Sequence, residues 1–238
     1  MLKVFSDFDG TIAVEDVGSQ LFRTFAGTKA TEIVRHLLDG TISARECLTR
    51  ECDAVESASL SELEDFVNTF SIDPTFGSFA EFCRHRSIPL VVLSDGLDFY
   101  VERLLRKNGL GDLPFYSNHL ELVLRGESTK LVPTFPYSDS ECPTCGNCKR
   151  NHLLTLSGDD DIIVYIGDGI SDRCPVRYAD IVFAKGRLIR YCQEQNVSYY
   201  EFRSFDDIRQ RLEQILQQKR IRKRREAEMA RRDVFAQG

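Results

Sequence analysis

Continuous runs of β-branched and apolar residues recur along the chain at Leu2–Phe5, Pro89–Leu93, Ile162–Ile166 and Asp180–Phe183, with Ser198–Phe202 as a later edge. Runs of this kind, without polar alternation, read as strands buried on both faces of a parallel sheet. Helical patterns at Gly77–His85, Phe99–Asn108 and Lys149–Leu156 separate them. The alternation predicts an α/β fold with a doubly wound, parallel-sheet, Rossmann-like core. From Val14 to Pro74 no convincing strand is legible. Apolar positions there, Leu21, Phe22, Phe25, Ile33, Val34, Leu37 and Leu38, fall at helical spacing. The expected organisation is a core of residues 1–13 and 75–205, a small helical domain inserted at 14–74, and a C-terminal helix and basic tail at 206–238. Residues 116–136 alternate weakly, as a small hairpin would. A helix is expected from Phe205 to about Gln218, with the basic tail extending it.

The ends of these strands carry the chemistry. Asp7-Phe8-Asp9-Gly10-Thr11 follows the first run. Residues two apart share a face of a strand, so both carboxylates leave it in the same direction, at the strand end where open parallel sheets bind ligands. Gly10 permits a sharp turn. Two crowded carboxylates either attract a divalent cation or force one of them to keep a proton. Ser94-Asp95-Gly96 ends the second run, where a hydroxyl and free backbone N–H groups suit a phosphate oxygen or, equally, cap a helix. Lys149 opens a helical segment and could neutralise phosphate charge, or be a surface lysine. Gly167-Asp168-Gly169-Ile170-Ser171-Asp172 ends the third run. Asp168 could complete an oxygen cage with Asp7, while Asp172 could hold a metal-bound water or orient Lys149. Four such motifs in this order point to phosphoryl transfer rather than to turns.

Composition narrows the class. With 238 residues, 42% of them hydrophobic and 29% charged, the chain is ordinary for a soluble protein of one domain with an insert. No apolar stretch is long enough to span a bilayer, and the first residues lack the regions of a signal peptide, so a cytoplasmic protein without membrane association is expected. The net charge of −6 hides a tail, residues 219–232, with eight basic and two acidic side chains. The remaining body is strongly acidic, which makes nucleic acid an unlikely partner. A non-enzymatic RNA- or membrane-binding role for that tail is the competing class of function. It leaves the crowded carboxylates without a purpose.

Taken together, D-x-D-G-T, S-D-G, a lone lysine and G-D-G-x-S-D resemble the haloacid dehalogenase-like phosphatase superfamily from Leu2 to about Phe202. The helical insert after the first motif is similar to the small cap of its phosphoserine phosphatase branch. Phe115-Tyr116-Ser117-Asn118-His119, a cysteine-rich loop abutting the lysine, and Phe183-Ala184-Lys185 resemble the methionine-salvage phosphatases that act on 2-hydroxy-3-keto-5-methylthiopentenyl-1-phosphate. The resemblance implies Asp7 as nucleophile, forming an aspartyl-phosphate, and Asp9 as general acid and base. It implies Mg²⁺ on the Asp7 carboxylate, the Asp9 carbonyl and Asp168. Ser94, the N–H of Gly96 and Lys149 would bind phosphoryl oxygens, with Thr11, Gly169 and Asp172 in support. The substrate would be a small-molecule phosphomonoester, with phosphoserine or a phosphotransfer reaction as alternatives. Asp95 departs from the branch, which commonly has a glycine there, and its carboxylate is expected to point away from phosphate.

Two features stand apart. Glu15 and Asp16 follow the first motif and would either contact substrate or cap the first helix of the insert. Cys142, Cys145 and Cys148 have C-x-x-C-x-x-C spacing with His152 beyond, which would satisfy a structural Zn²⁺ or form a reduced, metal-free loop. Cys47, Cys52, Cys83, Cys174 and Cys192 read as small buried residues.

Overall fold

Val4, Phe5 and Ser6 have no solvent exposure, which is why β1 (Leu2–Asp7) reads as an unbroken run rather than an alternating one. The computed structural model describes residues 1–142 and 144–237, grouped into two compact units. The first comprises Met1–Ile12, Ile72–Leu93 and Lys149–Gly238, and the second Ala13–Ser71 and Ser94–Cys148.

In the first unit, β1 pairs on one side with β2 (Leu90–Leu97) through Leu93 and on the other with β5 (Ile162–Gly167). The sheet continues through β6 (Ile181–Ala184) to a two-residue β7 (Tyr200–Glu201). All five strands run parallel, in the order β2-β1-β5-β6-β7. The register sets Asp7 opposite Leu93 and Gly167 opposite Ala184, so Asp7, Asp168 and Lys185 all emerge at carboxyl ends of strands. Helices α5 (Phe76–His85), α7 (Lys149–Thr155), α8 (Gly186–Glu194) and α9 (Phe205–Leu216) belong to this unit. Phe76 and Phe79 of α5 pack on Phe205 of α9, with ring centroids 4.7 and 5.3 Å apart. Helix α8 escapes the periodicity reading because only Leu188 and Cys192 are buried along it.

The C-terminus differs from expectation. The chain leaves α9 at Leu216 and starts a separate helix, α10 (Arg225–Gln237). Arg224 donates to the carbonyls of Val176 and Arg177, at 2.5 and 2.9 Å. Arg231 donates to the carbonyl of Tyr178 and to Asp180 Oδ1, at 2.5 and 3.0 Å. Two guanidinium groups of the basic tail are thus bound within the unit rather than extended as a continuous charged helix.

The second unit begins with four helices, α1 (Val17–Ala26), α2 (Thr28–Leu38), α3 (Ala44–Ala54) and α4 (Leu60–Asn68). Local signals start them: Asp16 caps α1, Ser43 caps α3, and Ser59 with Glu62 forms a capping box on α4. The unit also takes in the end of β2, α6 (Asp98–Lys107), and an antiparallel hairpin of β3 (Phe115–Arg125) and β4 (Ser128–Thr134). It therefore extends beyond the 14–74 insert read from sequence. The physical reason is the packing of β4 on α3, together with the Thr129 N–H donated to Ala58 O at 2.8 Å. All eight cysteines are free thiols; Cys174 is exposed, contrary to the expectation of burial. Among the described residues no helix is long and apolar enough to cross a membrane.

Helix α3 buries a carboxyl group that no sequence pattern announces. Glu51 is 8% exposed, and its nearest polar partner is the Cys47 thiol at 3.7 Å from Oε2. Burial pushes its pKa up from 4.5 to about 7. Because the folded pKa is raised, the stability Glu51 confers is present at acid pH and is lost as pH rises through about 7. Glu51→Gln should abolish this dependence, gaining about 2 kcal/mol over wild type between pH 5 and pH 8 in denaturant unfolding. Parallel pH profiles for the two proteins would show that Glu51 is ionised in the fold.

Candidate active site

Lys149 begins α7 with only 3% of its surface exposed, so it is not a surface lysine. Its ammonium donates to Asp7 Oδ1 at 2.5 Å, Asp172 Oδ1 at 2.8 Å and Ser171 Oγ at 3.0 Å. A buried ammonium is tolerable only when paired in this way. Burial alone would lower its pKa, but Asp172 and then Asp7 outweigh that and hold it well above the usual lysine range.

Asp172 has no solvent exposure and every lone-pair direction is engaged. Oδ1 accepts from Lys149 and from the Tyr165 hydroxyl, the latter at 2.6 Å. Oδ2 accepts the backbone N–H groups of Asp168 and Gly169, both at 2.9 Å. Of its two anticipated roles, the structure displays the orientation of Lys149. Tyr165 is a residue the sequence reading missed, because an aromatic within an apolar strand looks like core. Gly167 is required at this position, since a Cβ there would lie 2.5 Å from Asp172 Oδ2.

Asp168 follows β5, and its Oδ1 accepts the Thr11 hydroxyl at 3.3 Å. Gly10 turns the chain at φ +70°, and a Cβ on it would lie 2.7 Å from Asp168 Oδ2. Burial and then the Asp172 charge raise the pKa of Asp168 to about 6. Burial followed by the Asp172 charge also raises that of Asp7 well above the carboxylate range, despite Lys149. Three carboxylates thus face two ammonium groups, Lys149 and, acting on Asp168, Lys185, and the excess negative charge is the electrostatic signature of a cation site. Ligand oxygens of Asp7, Asp168 and Asp172 lie within 4.8 Å of one another. Since Asp172 is saturated by donors, Asp7 and Asp168 are the hard oxygen ligands left to a cation. The set fits Mg²⁺, which takes one or two carboxylates and retains water and phosphate oxygens.

Of the residues expected to act together, the first unit gathers Asp7, Thr11, Lys149, Asp168, Gly169 and Asp172. Asp9 is half-buried in the turn with Gly10. Lys185, also missed as a site residue, donates to Thr11 O at 3.3 Å; burial lowers its pKa against the pull of Asp168. Ser94 and Gly96 belong to the second unit, where the buried Ser94 Oγ accepts the Gly96 N–H at 3.0 Å. Asp16 Oδ1 accepts the Ser19 N–H at 2.8 Å, so it is a helix cap, and Glu15 is exposed. Among the described residues the acidic trio is the group of three or more ligand side chains that converges. Cys142, Cys145, Cys148 and His152 form no such group. The imidazole of His152 is buried, which lowers its pKa to about 4.

Comparison with known proteins agrees with this geometry. Residues 4–175 match the haloacid dehalogenase-like hydrolase family. A 2-hydroxy-3-keto-5-methylthiopentenyl-1-phosphate phosphatase of Bacillus cereus (strain B4264) is 31% identical over 224 residues, covering 92% of this chain and 99% of that protein. A protein of the same name from Brevibacillus brevis is 30% identical over 220 residues, covering 91% and 97%. Among solved structures, a phosphoserine phosphatase bearing a phospho-aspartyl intermediate analogue shares the fold with a TM-score of 0.64 at 15% identity, over 88% of this chain and 97% of that one. A haloacid dehalogenase family hydrolase from Salmonella enterica does so with a TM-score of 0.68 at 19% identity, over 87% and 69%. With strand-end carboxylates, a buried lysine and relatives matched along nearly their whole length, this chain belongs to the haloacid dehalogenase-like hydrolases.

Proposed function

We propose that the chain is an Mg²⁺-dependent phosphatase of the cytoplasm whose substrate is 2-hydroxy-3-keto-5-methylthiopentenyl-1-phosphate. The observation that carries the chemistry is the Lys149 ammonium held between Asp7 and Asp172. The substrate assignment is supported by the full-length relatives that bear its name.

In this reading Asp7 attacks phosphorus and becomes an aspartyl-phosphate, which divides one difficult hydrolysis into two easier steps. Asp9 gives a proton to the leaving oxygen and then takes one from the water that releases phosphate. Lys149 neutralises charge on the phosphoryl oxygens and is prevented from wandering by Asp172, Tyr165 and Ser171. Asp7, the Asp9 carbonyl and Asp168 would hold Mg²⁺, which screens the repulsion between an anionic nucleophile and an anionic substrate. The Ser94 hydroxyl would donate to a remaining phosphoryl oxygen, and the Gly96 N–H, donated to Ser94 Oγ in this structure, would have to turn from it to do the same. With Asp16 committed to its helix, Glu15 is the acid left to meet a substrate hydroxyl.

Phosphate release should be fastest, by at least about tenfold in kcat/KM, with this enol phosphate among a panel that includes phosphoserine. It should disappear with EDTA, return with Mg²⁺, and be absent in Asp7→Asn, whose circular dichroism and melting stay native. Equal turnover in that variant would rule out the covalent route, and a preference for phosphoserine would reassign the substrate. Removing the phenol donor with Tyr165→Phe should lower kcat about tenfold, the equivalent of the ~1.5 kcal/mol typical of a hydrogen bond to a charged group. An unchanged kcat would mean that the three other donors suffice to hold Asp172.

A further inference from the structure

The loop that precedes Lys149 contains a side chain that the mechanism above does not use. Asn147 is 1% exposed. Its amide nitrogen donates to Ser94 O at 2.8 Å and to Tyr116 O at 2.9 Å, and its backbone N–H donates to Asp95 Oδ1 at 2.9 Å. Asn118, equally buried on β3, donates from its own amide to Asp95 O at 2.7 Å. The successive Ser94 and Asp95 carbonyls of β2 are therefore held by asparagine side chains, and the Asp95 carboxylate is turned to the loop. The fit is close: a Cβ on Gly146 would lie 2.7 Å from Asn118 Oδ1. The amide nitrogens of both side chains are paired, although the buried Asn118 Oδ1 is not, and the paired donors select one backbone geometry at Ser94 and Asp95.

We infer that Asn147, with Asp95, is a positioning residue that sets Ser94 and the following N–H groups for phosphoryl oxygens. The hydrogen bonds do the work that a Zn²⁺ staple would otherwise have done. The inference rests on the phosphatase reading and on Ser94 as a phosphate ligand. It also accounts for the aspartate at 95 in place of a glycine: its carboxylate accepts a backbone N–H of the loop that leads into Lys149.

The test uses four full-length variants, Asn147→Ala, Asn147→Leu, Asp95→Ala and Asp95→Asn. Readouts are KM and kcat on the best phosphomonoester, the inhibition constant of inorganic phosphate, and calorimetric binding of inorganic phosphate with Mg²⁺ present. Asn147→Ala and Asn147→Leu should raise KM and the phosphate constants together by tenfold or more, with a smaller change in kcat. Asp95→Asn keeps an oxygen acceptor at Oδ1 and should stay within about twofold of wild type, whereas Asp95→Ala should follow the Asn147 variants. A merely structural role would lower the melting temperature while leaving KM and phosphate affinity unchanged, and that result would overturn the proposal. So would an Asp95→Asn variant as impaired as Asp95→Ala, which remains decisive if the Asn147 variants fail to fold. Wild-type protein that binds phosphate but releases none from any ester would remove the phosphatase reading. Weakened phosphate binding in Asn147→Ala would then still support the positioning role.

Discussion

A lysine ammonium out of reach of water cannot stand alone, and the strand ends around it are organised by that fact. Lys149 needs Asp7 and Asp172, and together these carry more negative charge than it can cancel. Asp172 is in turn fixed by Tyr165 and two backbone N–H groups, so its charge is tied to β5 and the turn after it. Asp168, crowded by Asp172, completes an excess of anionic oxygen that a divalent cation would relieve. Asp7, Lys149, Asp168 and Asp172 are consequently one electrostatic unit. Changing any member alters the protonation preferences of the others.

The sheet makes this unit possible through register and through missing side chains. Parallel pairing of β1 with β5 delivers Asp7 and Asp168 to the same edge, while β6 delivers Lys185. Gly10 and Gly167 leave the space that the Asp168 and Asp172 carboxylates occupy, each within 3 Å of where a Cβ would stand. The cost of so many buried charges is offset by strands whose side chains are enclosed on both faces and by the aromatic packing of α5 on α9.

Much of this is legible in the residues. The strands β1, β2, β5 and β6 announce themselves because burial on both faces demands uninterrupted apolar runs. The insert announces its first helices by spacing and by Asp16 at their start, whereas the Ser43 and Ser59 caps appear only in the structure. Asp7, Asp168 and Asp172 stand out because short motifs at strand ends combine acids with glycine. Tyr165 and Asn147 do not, since one resembles core and the other a loop amide; only their partners, 7 and 53 residues away, reveal them. The cysteine spacing left a metal site and a reduced loop open; among the described residues those cysteines and His152 form no ligand group, and Asn147 in the same loop is held by Ser94 and Tyr116. The basic tail read as one solvated helix, yet it breaks at Leu216 so that Arg224 and Arg231 can reach the carbonyls of 176–178 and Asp180.

The order of residues was sufficient for the parallel sheet, the inserted helices and the acidic residues that converge at the strand ends. Each of these depends on periodicity or on neighbours a few positions apart, and such information is local. Folding was needed to raise the pKa values of Asp7, Asp168 and Glu51, to bury Lys149, and to join the 94–148 segment to the inserted helices. Those properties are sums over charges and packing surfaces contributed by distant segments. No local pattern carries such sums, because burial strengthens every interaction between groups that the chain brings together only when it closes.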